Sequence, residues 1–410
     1  MKTIRTILSV LLTLCLVIAL SAAVFADSEG FNARLDVTDN QDGSISVSIP
    51  EENAAILAAE KPTLTIPCPF SDAVVTKNGG AISSVTANGK VSFTVETPGV
   101  YTIWSSDSTV PFFASHSLLL SGEIGVNFYM DLSKLTEEEK AASSMLFSVC
   151  GRLQVDDFDA SHTNPGGDGY YGFTCHISSV QMADTITAVF NYGDGRSVTQ
   201  TYSAKDYIDY VNQNPGGFSA DARALVASLG SYGANVQPFL AISNGWTLGE
   251  AHTAMTGGVS YDADALDTIR AAAGNYAFGK DLGSSQVAKV SYSLDLQSKT
   301  ALRVYFTLQP DYAGAVTATL DGSPVEAVRQ DDGRYCVTVP SIAAHELGTA
   351  HSIVLSAGGS CTVTVSALSY VDAALRSSSK VFANDTARAA VASLYDYYAA
   401  TTNYLANPAA

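Results

Sequence analysis

Ala222-Arg223-Ala224-Leu225-Val226-Ala227-Ser228-Leu229-Gly230-Ser231-Tyr232-Gly233-Ala234-Asn235-Val236-Gln237-Pro238-Phe239-Leu240 comes back 165 residues later as the stretch from Ala387-Arg388-Ala389 to Leu405, with ten of 19 positions identical. Three more blocks recur in the same order. The stretch from His116-Ser117-Leu118 to Leu132 aligns without gaps on Tyr292 to Leu308, five of 17 positions being identical. Tyr171-Gly172-Phe173-Thr174 matches Tyr335-Cys336-Val337-Thr338, and Ser203-Ala204-Lys205-Asp206-Tyr207 matches Ser366-Ala367-Leu368-Ser369-Tyr370. Ordered self-similarity of this kind reads as two copies of one module.

Each copy reads as strands first and helices last. Leu118, Leu120, Ile124, Val126 and Phe128 alternate with small or polar neighbours, the period of half-buried strands. Leu225, Leu229, Tyr232, Val236 and Phe239 recur at helical spacing, with Asp221 as a candidate N-cap, and Asp385 or Thr386 in the second copy. Thr136 and Glu139 have capping-box spacing. Ahead of the copies, Asp42-Gly43, Asn78-Gly79, Asn88-Gly89 and Pro98-Gly99 punctuate short alternating runs, as in an Ig-like sandwich.

The expected fold class is therefore mainly β with α+β modules. An N-terminal Ig-like β-sandwich (27–110) precedes two homologous β-sandwich-plus-helices modules (113–242 and 289–410). A connector with one helix (243–288) joins them.

The N-terminus reads as a signal peptide over 1–26. Lys2 and Arg5 precede an apolar run from Ile7 to about Leu20, and Val24 and Ala26 stand three residues and one residue before the cut. Cleavage leaves no stable membrane span. It also takes the basic residues from 22 to 20 against 40 acidic ones, moving the net charge from -18 to -20. Such a balance excludes a nucleic-acid partner, whose phosphates require a basic face. With 47% hydrophobic and 15% charged residues the chain is no disordered acidic tail. Five cysteines remain after cleavage: Cys68, Cys150, Cys175, Cys336 and Cys361. Export permits pairing of Cys150 with Cys175 and of Cys336 with Cys361, whereas the strand patterns around Cys336 and Cys361 favour buried free thiols. No CxxC pair supports a zinc ribbon or thioredoxin-like chemistry.

The stretch from Gly122-Glu123-Ile124-Gly125-Val126-Asn127-Phe128-Tyr129 to Leu132, with Tyr202-Ser203-Ala204-Lys205-Asp206-Tyr207, resembles an uncharacterised repeated module. That module belongs to secreted and cell-surface proteins of clostridial, anaerobic Gram-positive bacteria. Ile342-Ala343-Ala344-His345-Glu346-Leu347 carries the same likeness, which covers about residues 113–410. The resemblance implies an extracellular, modular protein and brings no activity, ligand or catalytic residue with it.

Candidate sites are few. His345-Glu346-Leu347-Gly348-Thr349-Ala350-His351 looks like a zincin motif, but its histidines are six apart, which turns the second about 600° round a helix and off the first one's face. The loop 156–168 gathers Asp156, Asp157, Asp159, Asn164 and Asp168, oxygen donors of the kind Ca²⁺ takes, without EF-hand spacing. Ca²⁺ is the one cofactor the pattern suggests. Glu123, Asp131, Asp156 and Asp206 are available for glycan hydrolysis, which needs two carboxylates about 5–9 Å apart. No Gly-x-Ser-x-Gly elbow or P-loop occurs. Trp246, in a Gly-rich connector, and Tyr170-Tyr171 are the candidate sugar-stacking aromatics. The expected function is an exported, non-catalytic binding or architectural protein at the bacterial surface, its ligand a glycan or a cell-surface protein. The alternative is an extracellular, glycan-active hydrolase with its cleft between the two modules.

Overall fold

The computed structural model describes residues 25–26, 34–36, 44–77, 80–105, 111–120, 124–164, 169–193, 195–276, 278–297, 299–378 and 382–407. The segment 1–24, the turns Asp42-Gly43 and Asn78-Gly79, Glu123 and Asp168 lie outside the described residues. The protein is mainly β, 37% strand against 31% helix, with its strands in six small sheets. It divides into two compact units: Met1–Ser117, Asn127–Cys175 and Ile186–Tyr202 form one, and Leu118–Val126, His176–Thr185 and Ser203–Ala410 the other.

The first unit begins with a two-sheet sandwich. Its strands are β1 (Phe25–Ala26), β2 (Arg34–Asp36), β3 (Ile45–Ile49), β4 (Thr63–Pro67), β5 (Ala73–Lys77), β6 (Gly80–Ile82), β7 (Ser84–Ala87), β8 (Lys90–Thr94) and β9 (Gly99–Ser105). The sheet orders are β1-β4-β8-β7 and β2-β3-β9-β5-β6. Alternation places Val47, Val75 and Ile103 from one sheet against Leu64, Ile66 and Val91 from the other in a single core. Asn88 and Gly89 both take positive φ, 54° and 70°, the backbone that a two-residue hairpin between β7 and β8 requires.

A second sandwich follows, with most of its strand residues in the same unit. It is built from β10 (Phe112–Leu119), β11 (Ile124–Asp131), β12 (Ser144–Val149), β13 (Arg152–Asp157), β14 (Tyr171–Ile177), β15 (Ile186–Tyr192) and β16 (Arg196–Tyr202). The sheets run β10-β11-β14 and β13-β12-β15-β16. Aromatic rings fill its core: Phe128 lies 5.3 Å from Phe147 and Phe173 5.5 Å from Phe190. Each such ring buries enough apolar surface to contribute about 1.5–3 kcal/mol. Thr136 caps the short helix Glu137–Ala141 by accepting from the Glu139 amide, while Glu139 returns to the Thr136 amide.

The second unit contains another sandwich and the long helices. Its strands are β17 (Gly279–Asp281), β18 (Val287–Asp295), β19 (Ala301–Leu308), β20 (Thr317–Leu320), β21 (Ser323–Val325), β22 (Val328–Arg329), β23 (Tyr335–Val339), β24 (His351–Ser356) and β25 (Ser360–Val365). One sheet is β18-β19-β23-β22 and the other β21-β20-β24-β25-β17. Number for number this order matches the preceding sandwich, with β22 and β17 added at two edges. Helices Ala204–Gln213 and Ala220–Asn244 follow the first set of strands, and Ala367–Arg376 and Asp385–Ala406 the second. The two long helices pack together with Tyr232 stacked on Tyr397 at 5.7 Å. Their N-caps are Ser219 and Asn384, whose side chains accept from the Ala222 and Thr386 amides, so the helices start ahead of the candidates Asp221, Asp385 and Thr386.

The connector is tied to this helical layer. Gln237, 1% exposed, donates to the Val180 and Thr253 carbonyls and accepts from the Met255 amide. Helix Ala263–Ala273 then leads to β17. None of the five described cysteines is in a disulfide; Cys150 is exposed and the other four are buried. Burial pushes the Cys175 thiol up to about 12, which removes it as a nucleophile at neutral pH. Among the described residues no helix is long and apolar enough to cross a membrane.

Candidate functional site

The period of two along β11 decides what faces outward in the first unit. Phe128 and Met130 are fully buried, so Asn127, Tyr129 and Asp131 lie on the opposite face of the sheet. On that face a polar chain crosses the strands. The Tyr129 hydroxyl lies 3.0 Å from Ser117 Oγ, Asn127 Nδ2 donates to Ser117 Oγ at 2.8 Å, and Thr174 Oγ1 donates to Asn127 Oδ1 at 2.6 Å. Each hydroxyl and the amide keep further donor or acceptor capacity for a ligand.

The Tyr129 ring lies over Gly172 on β14. A Cβ at residue 172 would come within 2.8 Å of Tyr129 Cε1 and 3.1 Å of Cδ1, so the ring takes the space a side chain would fill. Tyr129 is partly exposed, and among the described residues no cation or second ring covers it. The result is an aromatic platform beside a row of hydroxyl and amide groups.

The loop of acidic residues adjoins this face and holds itself together. Asp156 Oδ1 meets His162 Nε2 at 3.1 Å, and its Oδ2 accepts from the Thr174 amide. Gln154 Nε2 donates to the Thr174 carbonyl at 2.6 Å. These two side chains of β13 thus occupy both backbone groups of one residue on the edge strand β14, the protection a bare sheet edge needs. Asp159 caps the 3-10 turn Ala160–His162 by accepting from Ser161, and that amide bond first, then the rest of the contact, holds its carboxyl below the usual range. Asp157 is exposed, and the Asn164 amide donates to the Tyr170 carbonyl. Two of the four described members of the proposed Ca²⁺ set therefore already use carboxylate oxygens on the protein's own donors. Tyr171 packs 5.2 Å from Phe158 with the Lys140 ammonium 5.5 Å from its ring.

The other candidates separate. Trp246 belongs to the second unit, where its partly exposed ring lies 5.1 Å from His252. His252 Nδ1 is 2.7 Å from the buried Asp184, which also accepts from the Thr253 amide. His345 sits in the 3-10 turn Ala344–Glu346, whereas His351 opens β24 and pairs with Asp321 at 2.8 Å. Asp131 accepts from the Ser133 amide and Asp206 from Ser203 Oγ, local turn and cap roles for two of the four hydrolytic carboxylate candidates.

On the matching face of the other sandwich a cation covers the tyrosine. Tyr305 occupies the place of Tyr129, and the Arg334 guanidinium lies 4.3 Å over its ring. Asp332 holds Arg334 in a 2.6 Å ion pair. Arg303 stands where Asn127 does and pairs with Asp295, also at 2.6 Å.

Sequence reading passed over Ser117, Asn127, Tyr129 and Thr174. The signal available was the alternation in Asn127-Phe128-Tyr129-Met130, which puts a tyrosine among polar partners on the face away from the core. A scan of known protein families returns no match to the chain, and no curated protein matches it.

Proposed function

We propose that this chain is an exported, non-catalytic protein of the bacterial surface that binds a neutral glycan on the outer face of its first module sandwich. The reading is carried by the Tyr129 platform beside the Ser117–Asn127–Thr174 row. Sugars present an apolar C–H face and a rim of hydroxyls. A partly exposed tyrosine stacks on the first, and side chains that both donate and accept suit the second. The excess of 40 acidic over 22 basic residues supports an uncharged ligand, since an anionic polymer is repelled at long range. The leader-like N-terminus and the likeness of residues 113–410 to clostridial surface modules support export, and the four recurring blocks support two copies of one module.

A glycan array probed with the full chain, with and without Ca²⁺, tests this. Specific retention that is lost in Tyr129→Ala is the expected outcome. Release of sugar or peptide products from cell-wall material would favour the hydrolase instead.

A further inference from the structure

The second unit holds a cavity of about 370 Å³ beside the long helices, remote in sequence from the Tyr129 face. Its size falls in the range of small-molecule pockets, about 300–1,000 Å³. The connector builds one rim. The Val259 amide donates to Ser231 Oγ, and the Val259 carbonyl accepts from Asn235 Nδ2, so both backbone groups are fixed by side chains of helix Ala220–Asn244. Gly258 packs closely against helix Ala220–Asn244: a Cβ there would come within 2.5 Å of Asn235 Oδ1 and push that side chain aside. Tyr261 is anchored beneath by donating its hydroxyl to Asp396 at 2.6 Å. The lining is preorganised rather than collapsed.

Two opposite charges line the cavity without pairing. Arg388 uses Nε on the Phe382 carbonyl at 2.6 Å, and its terminal nitrogens have no partner among the described residues. Asp385, one helical turn earlier, has no ion pair among the described residues. A cation in the first turn opposes the helix dipole, so the dipole does not account for Arg388. Pro238, Val259 and Leu266 supply an apolar wall. Side chains three apart on a helix start about 5–6 Å apart. The termini of an extended dipeptide are separated by about 7 Å, whereas those of one amino acid are much closer.

We propose that this cavity binds a dipeptide-sized zwitterion with an apolar side chain. Arg388 takes the carboxylate, Asp385 takes the ammonium, and Pro238, Val259 and Leu266 face the side chain. The inference is independent of the glycan reading, because it uses other residues in the other unit.

Titration calorimetry of the full chain with leucyl-leucine, its N-acetyl form, its C-terminal amide and free leucine provides the test. Leucyl-leucine is expected to saturate one site, and losing either charge to weaken binding at least tenfold. Asp385→Asn, at an exposed position, should abolish the discrimination against the N-acetyl form, and Arg388→Gln that against the amide. Tyr129→Ala should change none of this. Absence of saturable binding by leucyl-leucine, or affinities within twofold for the charged and blocked forms, overturns the proposal. Should Arg388→Gln fail to fold, the blocked ligands and Asp385→Asn decide it alone.

Discussion

Tyr129 and Tyr305 stand at matching places in two sandwiches of the same strand order, and they are treated in opposite ways. Tyr129 lies over a glycine with hydroxyl and amide neighbours. Tyr305 has Cys336 at the glycine's place and Arg334 over its face. The edges differ too. The middle of the β14 edge is covered by two side chains, Gln154 and Asp156, and its start by a single bridge from Thr163 to Tyr171, whereas its counterpart β23 is covered by a short added strand, β22. A backbone strand lies along an edge and needs no special side chains. Side-chain protection leaves a loop, and that loop adjoins the Tyr129 face. The same strand order thus carries a bare tyrosine in one sandwich and an arginine-covered one in the other.

The largest effect is expected at the platform itself. Tyr129→Ala should weaken the retained glycan by about 2 kcal/mol or more, roughly 30-fold, as loss of a central aromatic contact does. Tyr305→Ala should leave affinity within twofold, both read by titration on the best array ligand. Gly172→Ala comes next. Its new Cβ must displace the Tyr129 ring, and a tenfold loss of affinity is expected with the melting temperature little changed. Asp156→Ala removes an edge bond and the His162 contact, and urea denaturation should show a loss of about 1 kcal/mol. Chelator should leave glycan affinity unchanged, since Asp156 and Asp159 already serve His162, Thr174 and Ser161.

The smallest effect concerns the arginine-covered tyrosine. The Asp332 carboxyl is held below the usual range, chiefly by hydrogen bonds from the Arg334 side chain and backbone. A depressed carboxyl contributes fully above its unfolded value, about pH 4, and its contribution is lost only as pH falls through the lower folded value. The Arg334 cover should therefore be constant from pH 5 to 8. The Arg334 Nε–H resonance, followed by NMR, should shift only in stronger acid.

Fold was far more legible than site. The recurring blocks at Ala222 and Ala387 and the alternation through Phe128 report on buried positions, and burial constrains sequence strongly enough to leave a period. The helices start a residue or two ahead of Asp221 and Asp385, because their caps Ser219 and Asn384 lie outside the repeated apolar spacing. The Tyr129 face leaves no such period in the sequence. Ser117, Asn127 and Thr174 are up to 57 residues apart and meet only through strand pairing, while Tyr170-Tyr171 and Asp156-Asp157 attract notice as neighbours in sequence. Trp246 is conspicuous in its Gly-rich connector, yet what lies beside it is His252, held by an aspartate 68 residues away.

Tyrosine-specific iodination, located by peptide mass spectrometry with and without the retained glycan, addresses the platform most directly. The glycan should protect Tyr129 in proportion to occupancy and leave labelling of Tyr305 unchanged. Saturating glycan with Tyr129 labelled as fast as in its absence would contradict the account.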